Sequence, residues 1–432
     1  MNTLKGVVQS TEKDSENRAL IMITMGKALV HQSGISITTW AWLIWNWRDH
    51  SRLHKCLQEH YGCVSWPSSQ RFHSGMSKPL ESICCHEKII KKIMEKFVSS
   101  WSDGKKLPEK YVFPPGKRPG KVVITTPKNI PVIDIGKAVG LDRSVIIQQL
   151  MQASQEFGFF QVINHGVVSA LLDDTRGVFE EFFALPADEK VDLCSSDKSK
   201  NCLFLTSNVA YDKEEFHNWR DTLRIKGSPL EEHKQEWPLK PVRFRDIVGD
   251  YTNELRNLAL RILELICEGL GLEKNYFDKG LSEEEFLVVH QYPTCPDPSL
   301  TLGTRSHTDP GLIGIVLQGD IPGLQVMNDG EWIGVEVIPG AFVVNVGFVL
   351  EFVSNGKLPS VEHRVVTSKD QSRISSGYFL LPESSCVVEP AKALVNAENP
   401  PIYKSVQYSE LFDMFIAAYI GEIDSVSGNC KI

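Results

Sequence analysis

Ser306-His307-Thr308-Asp309-Pro310-Gly311-Leu312-Ile313-Gly314-Ile315-Val316-Leu317 sets an imidazole and a carboxylate just ahead of an apolar run of single-strand length. Runs of the same kind surround it: Phe286 to Tyr292, Gly323 to Met327, Trp332 to Ile338, Ala341 to Val346, His363 to Thr367 and Arg373 to Leu381. Turn formers such as Asn328-Asp329-Gly330 and Pro339-Gly340 separate them. Many short strands joined by close turns predict an antiparallel sandwich or barrel.

Within that frame His307 and Asp309 are two residues apart, so on an extended chain both side chains leave one face. A distant His363 can close a three-cornered site. Two imidazoles and one carboxylate on one side of a metal leave the opposite positions open, the donor set of non-haem Fe(II) oxygenases; tetrahedral zinc takes the same ligand types. Arg373 and Ser375, also two apart, lie ten residues beyond His363 on a strand-like run. A planar guanidinium grips a carboxylate through two parallel hydrogen bonds, and a hydroxyl beside it adds a third donor. Such a pair suits a dicarboxylate that chelates the metal with one end and is clamped at the other.

Taken together, His307-Thr308-Asp309, Ser360-Val361-Glu362-His363-Arg364 and Arg373-Ile374-Ser375 resemble the catalytic core of the plant 2-oxoglutarate- and Fe(II)-dependent dioxygenases. Tyr292-Pro293-Thr294-Cys295-Pro296 is similar to that family's tyrosine and proline segment, and Gly158-Phe159-Phe160-Gln161-Val162-Ile163-Asn164-His165-Gly166 to its N-terminal signature. Cys295 to Gly303, His363 to Thr367 and Glu389-Pro390-Ala391-Lys392 resemble family members that hydroxylate tropane alkaloids.

The resemblance implies a mixed α/β (α+β) fold: a double-stranded β-helix, or jelly roll, with N-terminal helices packed outside. His307, Asp309 and His363 would hold Fe(II); Arg373, Ser375 and Tyr292 would hold 2-oxoglutarate; O2 would be the oxidant and ascorbate the reductant. The expected outcome is hydroxylation, or desaturation or epoxidation, of a small specialised metabolite, with a tropane-type alkaloid favoured and flavonoid, gibberellin-like and coumarin substrates open. Two positions depart from the family: His290 stands where Asn is common and Gly347-Phe348 where many members have Gly-Asp. His290 reads as a strand histidine satisfied locally, with a competing imidazole as the alternative. Phe348 reads as a change to the apolar wall near the substrate.

Elsewhere the chain is less specific. A formal net charge of −8 and the lack of a basic block argue against a nucleic-acid partner. Ten scattered Cys form no disulfide framework, so reduced thiols in a cytoplasmic, monomeric enzyme are expected. No membrane association is expected either, since the apolar run Ile35 to Trp47 is shorter than the ~20 residues of a spanning helix. Residues 1–93 read as an atypical, poorly ordered extension or translated upstream sequence. A zinc reading of His54, Cys56, His60, Cys63, Cys84, Cys85 and His86 lacks the usual ligand spacing.

Residues 94–285 form the expected N-terminal helical region and 286–432 the catalytic jelly roll. After a Lys, Pro and Gly-rich lead-in over 104–130 comes a short strand, Ile130 to Asp134. Three helices are expected: one through Ile146, Leu150, Ala153 and Phe157 with Asp142 as cap; one through Leu172, Val178, Phe179, Phe182 and Phe183; one through Leu255, Leu258, Ile262 and Leu265 closed by Gly269 and Gly271. Between the last two, roughly Cys194 to Leu239 reads as a polar loop. Its Asp212, Glu214, Glu215, His217, Trp219, Arg220 and Asp221 read as a solvated cluster, or as carboxylates that meet a substrate amine.

Rival readings exist. A non-catalytic jelly-roll binding protein has no use for the metal set and Arg-x-Ser together. A zinc hydrolase needs a general base but not Arg373, and a Ser375 hydrolase lacks the G-x-S-x-G elbow.

Overall fold

The computed structural model describes residues 92–432 apart from 103–105, 121–128, 196, 198, 279 and 424. The readings of residues 1–91, the zinc cluster and the Ile35 to Trp47 run among them, lie outside the described residues. So does much of the lead-in.

The core strands are β1 (Val132–Asp134), β2 (Phe159–Ile163), β3 (Cys202–Thr206), β4 (Asp221–Lys226), β5 (Glu284–Tyr292), β6 (Thr304–His307), β7 (Ile313–Leu317), β8 (Leu324–Asn328), β9 (Glu331–Gly334), β10 (Phe342–Val346), β11 (His363–Val365) and β12 (Arg373–Leu381). An eight-stranded sheet runs β1-β2-β10-β7-β12-β5-β4-β3, and a four-stranded sheet runs β6-β11-β8-β9. From β5 onward the chain alternates between them, large then small, broken only by the β8–β9 hairpin; this is the jelly roll. Phe159, Tyr292, Leu324, Val326, Val343 and Val365 fill the space between the sheets.

Three helices cover the large sheet: α1 (Arg143–Glu156), α2 (Ser169–Ala184) and α3 (Phe244–Leu270). The expected apolar stripes are the buried ones, Ile146, Leu150 and Ala153 on α1 and Val178, Phe179, Phe182 and Phe183 on α2. Asp142 does precede α1, but its side chain makes no capping bond. Gly271 ends α3 in the left-handed conformation, whereas Gly269 lies within the helix. A short α4 (Phe348–Val353) follows β10, and α5 (Tyr408–Ile420) lies near the C-terminus. No helix of the described residues is long and apolar enough to cross a membrane.

The stretch from Cys194 to Leu239 is not a structureless loop. It contains the β3–β4 hairpin, which extends the large sheet by pairing with β5. Nor is its charge cluster solvated throughout: Glu214, His217, Trp219, Arg220 and Asp221 are buried. Buried charges need partners. Glu214 pairs with Arg305 at 2.9 Å, and Asp221 accepts from the backbone N–H groups of Val98 and Ser99 at 3.0 and 2.8 Å. The strand expected over Trp332 to Ile338 is shorter, ending at Gly334.

Candidate active site

His307 is the last residue of β6 and His363 the first of β11, and antiparallel pairing sets them directly opposite each other. Asp309 follows β6 on the turn into β7. That turn is pinned by Phe348 N–H, which donates to the Asp309 carbonyl at 2.8 Å, and by Gly347 N–H to the Leu312 carbonyl at 2.8 Å. Two strands and one turn therefore bring His307, Asp309 and His363 together, with a ligand atom from each within 4.8 Å of the others.

The two imidazole Nε2 atoms each lie 3.6 Å from an Asp309 carboxylate oxygen, too far for good hydrogen bonds. Each Nδ1 faces a backbone carbonyl, Arg305 at 2.9 Å and Val361 at 3.3 Å, which directs the Nε2 lone pair inward. Burial, then the neighbouring His363, pushes His307 well below the ordinary histidine range, favouring the neutral ring that a metal requires. Asn345 on β10 donates to Asp309 Oδ2 at 2.8 Å and fixes the carboxylate. Two imidazole nitrogens and one oriented carboxylate, converging without bonding one another, fit a divalent cation with open positions on the far side.

Arg373 begins β12 opposite Tyr292, and Ser375 lies opposite His290. The Arg373 guanidinium is buried, donates to the Ile321 carbonyl at 2.9 Å and to Ser375 Oγ at 3.1 Å, and lies 5.2 Å from the centre of the Tyr292 ring. Among the described residues no carboxylate is within ion-pair reach of it. Tyr292 Oη is 3.2 Å from Thr304 Oγ1 on β6, which ties this anchor to the strand carrying His307. Gly303 allows the approach, since a Cβ there would sit 2.5 Å from the Tyr292 ring.

The two departures resolve differently. His290 Nδ1 bonds Thr222 Oγ1 at 2.9 Å, its Nε2 is 3.5 Å from Arg220, and burial pushes its pKa well down; it is not one of the three converging ligands. Phe348 does not line the cavity beside His307. Its ring is buried against Phe352 at 4.7 Å, and its contribution to the site is through the backbone.

That cavity, about 620 Å³, opens from His307, Asp309 and His290 toward Phe286, Val288 and Phe379 on the large sheet, with Tyr408, Phe412, Phe415 and Tyr419 of α5 as the opposite wall. The β3–β4 hairpin supplies one side, through Leu205, Arg220, Thr222 and Arg224. Sequence reasoning missed Asn345 and α5, and placed Arg220 in a solvated cluster and not in the site. A lone amide within Phe342-Val343-Val344-Asn345-Val346 was the available signal for Asn345, and strand alternation over Asp221 to Lys226 for Arg220.

Residues 283–382 match the profile of the 2OG-Fe(II) oxygenase superfamily, and residues 130–244 match the N-terminal region described as "non-haem dioxygenase in morphine synthesis N-terminal". Flavanone 3-dioxygenase 2 of Oryza sativa subsp. japonica is 42% identical over 312 residues, covering 72% of this chain and 90% of the relative. This chain belongs to the 2OG-Fe(II) oxygenase superfamily. The dioxygenase is also similar to Hyoscyamine 6-dioxygenase of Hyoscyamus niger, 41% identical over 338 residues, covering 75% of this chain and 95% of the relative. Among solved structures, that of JOX2 in complex with 2OG, Fe and JA aligns with a TM-score of 0.66 and 31% identity, over 74% of this chain and 93% of that one. The dioxygenase is thus an oxidoreductase of a plant-type family that uses Fe(II), 2-oxoglutarate and O2, and its jelly roll is that family's core.

Proposed function

We propose that His307, Asp309 and His363 hold Fe(II), that Arg373 and Ser375 clamp the distal carboxylate of 2-oxoglutarate with Tyr292 beside them, and that the enzyme hydroxylates a small, largely apolar specialised metabolite. The observation that carries this is the pairing of a three-ligand cluster with a buried, carboxylate-free Arg373 in one β frame. With both groups bound, iron and 2-oxoglutarate supply the oxidising chemistry: O2 is consumed, succinate and CO2 are released, and one oxygen atom enters a substrate C–H bond. The protein's part is orientation. Asn345 holds Asp309 in place, the Arg305 and Val361 carbonyls hold the imidazoles, and the Arg373 fork fixes the co-substrate's tail. The aromatic walls keep water from the reacting centre and set which C–H bond faces it.

Motif resemblance favours a tropane-type alkaloid as substrate. One observation favours the second reading, a flavonoid, gibberellin-like or coumarin substrate: Lys200, Arg220, Arg224 and Lys226 line the cavity, and of the two carboxylates there beyond the iron site, Glu284 is paired with Lys226 at 2.6 Å. That leaves Asp413 on α5 to receive an amine, while the segment from Ser199 to Lys226 offers none. Its candidates are spent elsewhere, Glu214 on Arg305 and Asp221 on backbone N–H groups. We also read the enzyme as a cytoplasmic monomer; the free thiols of Cys194, Cys202, Cys267, Cys295, Cys386 and Cys430 support the reducing compartment in that reading.

The test is succinate formation by the full chain with Fe(II), 2-oxoglutarate and ascorbate, across a panel of alkaloids, flavonoids, coumarins and diterpenoid acids, beside His307→Ala. Iron-dependent succinate raised by one panel class and lost in the variant is the expected result. Zinc in the purified protein, with no 2-oxoglutarate turnover on reloading with iron, would overturn it.

A further inference from the structure

Arg220 directly precedes β4 and is only 8% exposed. Its Nε donates to the Ser207 carbonyl at 2.9 Å and its Nη1 to Thr304 Oγ1 at 2.7 Å, with His290 Nε2 at 3.5 Å. Every one of these partners is uncharged. Among the described residues no carboxylate forms an ion pair with Arg220. Glu214, which accepts from the Ser207 hydroxyl, is committed to Arg305, and Asp221 faces Val98 and Ser99. A guanidinium cannot shed its proton, and a buried one without a counter-charge is costly. Yet this one opens onto the cavity beside His307 and Asp309.

Charge balance bears on what pairs with Arg220. Around the metal of the loaded site, the metal, Arg373 and Arg220 bring four positive charges, while Asp309 and the two co-substrate carboxylates bring three negative ones. Farther along the cavity Lys200, Arg224 and Lys226 line the walls together with Glu284 and Asp413, and Lys226 is paired with Glu284 at 2.6 Å, so cations outnumber carboxylates there as well. Arg220 faces walls that are mostly apolar, Phe286, Phe379, Phe412 and Phe415 among them.

We infer that the substrate is a hydrophobic, ring-containing carboxylic acid whose carboxylate pairs with Arg220 while its apolar body lies against α5. This rests on the dioxygenase reading of the site and narrows its substrate class. The same guanidinium chemistry would also suit the metal-proximal carboxylate of 2-oxoglutarate, so the test separates the two sources.

The full-length protein, loaded anaerobically with Fe(II) and 2-oxoglutarate, is titrated calorimetrically with 2-naphthoate and with its uncharged isostere 2-naphthamide. The acid is expected to bind roughly ten- to a hundredfold more tightly, the range for a hydrogen bond to a charged group. Arg220→Gln should abolish that preference and Arg220→Lys retain part of it, with circular dichroism and melting curves establishing that each variant folds. In parallel, the visible charge-transfer band that forms when 2-oxoglutarate joins the Fe(II) protein measures co-substrate affinity, which Arg220→Gln should leave unchanged. Equal binding of acid and amide by the wild-type protein overturns the inference without recourse to any variant. Weakened 2-oxoglutarate binding in Arg220→Gln with the acid preference intact overturns it too, assigning the cation to the co-substrate. Absence of the band in the wild type defeats the dioxygenase reading itself, and the inference with it.

Discussion

The residue whose effect is most separable is Asn345, which touches the proposed iron site only through Asp309. Asn345→Ala should weaken iron affinity about 10- to 100-fold, as loss of a partner behind a ligand does. Fe(II) titration followed by succinate formation would measure it, and unchanged affinity would mean that the backbone turn alone holds the carboxylate. Arg373→Lys keeps the charge and loses the fork. The KM for 2-oxoglutarate should rise by about tenfold or more, with little change in iron affinity. At this scale the sequence was informative where spacing carried geometry. Arg373 and Ser375 share a face of β12 because they are two residues apart, whereas Asp309 reaches His307 from the turn that follows β6. Asn345 was legible only as a lone amide in an apolar strand; its partner is 36 residues away, and no local pattern names a contact across two strands.

Elements fix where those residues meet. Gly158 opens β2 at φ 63°, and a Cβ there would run into the Val361 side chain and the Pro359 carbonyl, on the segment that delivers His363. Phe159 then stands edge-on to the His363 ring, with centroids 5.2 Å apart. Gly158→Ala should therefore destabilise the protein by about 1–3 kcal/mol and weaken iron binding with it. Urea unfolding and metal titration together check this; a variant as stable as wild type would show that the Pro359–Val361 segment yields freely. Helices α1 and α2 and the long strand β12 were readable from periodicity, because one of their faces is buried and the apolar spacing reports it. The β3–β4 hairpin was not. Its alternation of Thr222, Arg224 and Lys226 with Leu223 and Ile225 looks polar because the outward residues line a cavity instead of packing into the core.

At the scale of the molecule, we propose that residues 94–432 form the working enzyme. Val98 and Ser99 near its start donate their N–H groups to the fully buried Asp221. Deleting residues 1–93 should leave succinate formation intact. Deletion through Trp101 would strand that carboxylate and cost about 3 kcal/mol or more. Thermal melting of the two shortened chains decides between them, and equal stability would refute the anchoring role of Asp221. An antiparallel sandwich or barrel was legible because turns recur along the chain, and the motif resemblance narrowed it to a jelly roll, while the shape of the substrate chamber was not legible, since its walls come from three distant stretches. That separation has an evolutionary corollary. His307, His363, Arg373 and Tyr292 belong to strands hydrogen-bonded in register, whereas the chamber's outer walls are a hairpin at the sheet's edge and a terminal helix. Exchanging those two segments between relatives should therefore alter which guest is held while leaving the metal and co-substrate positions in place.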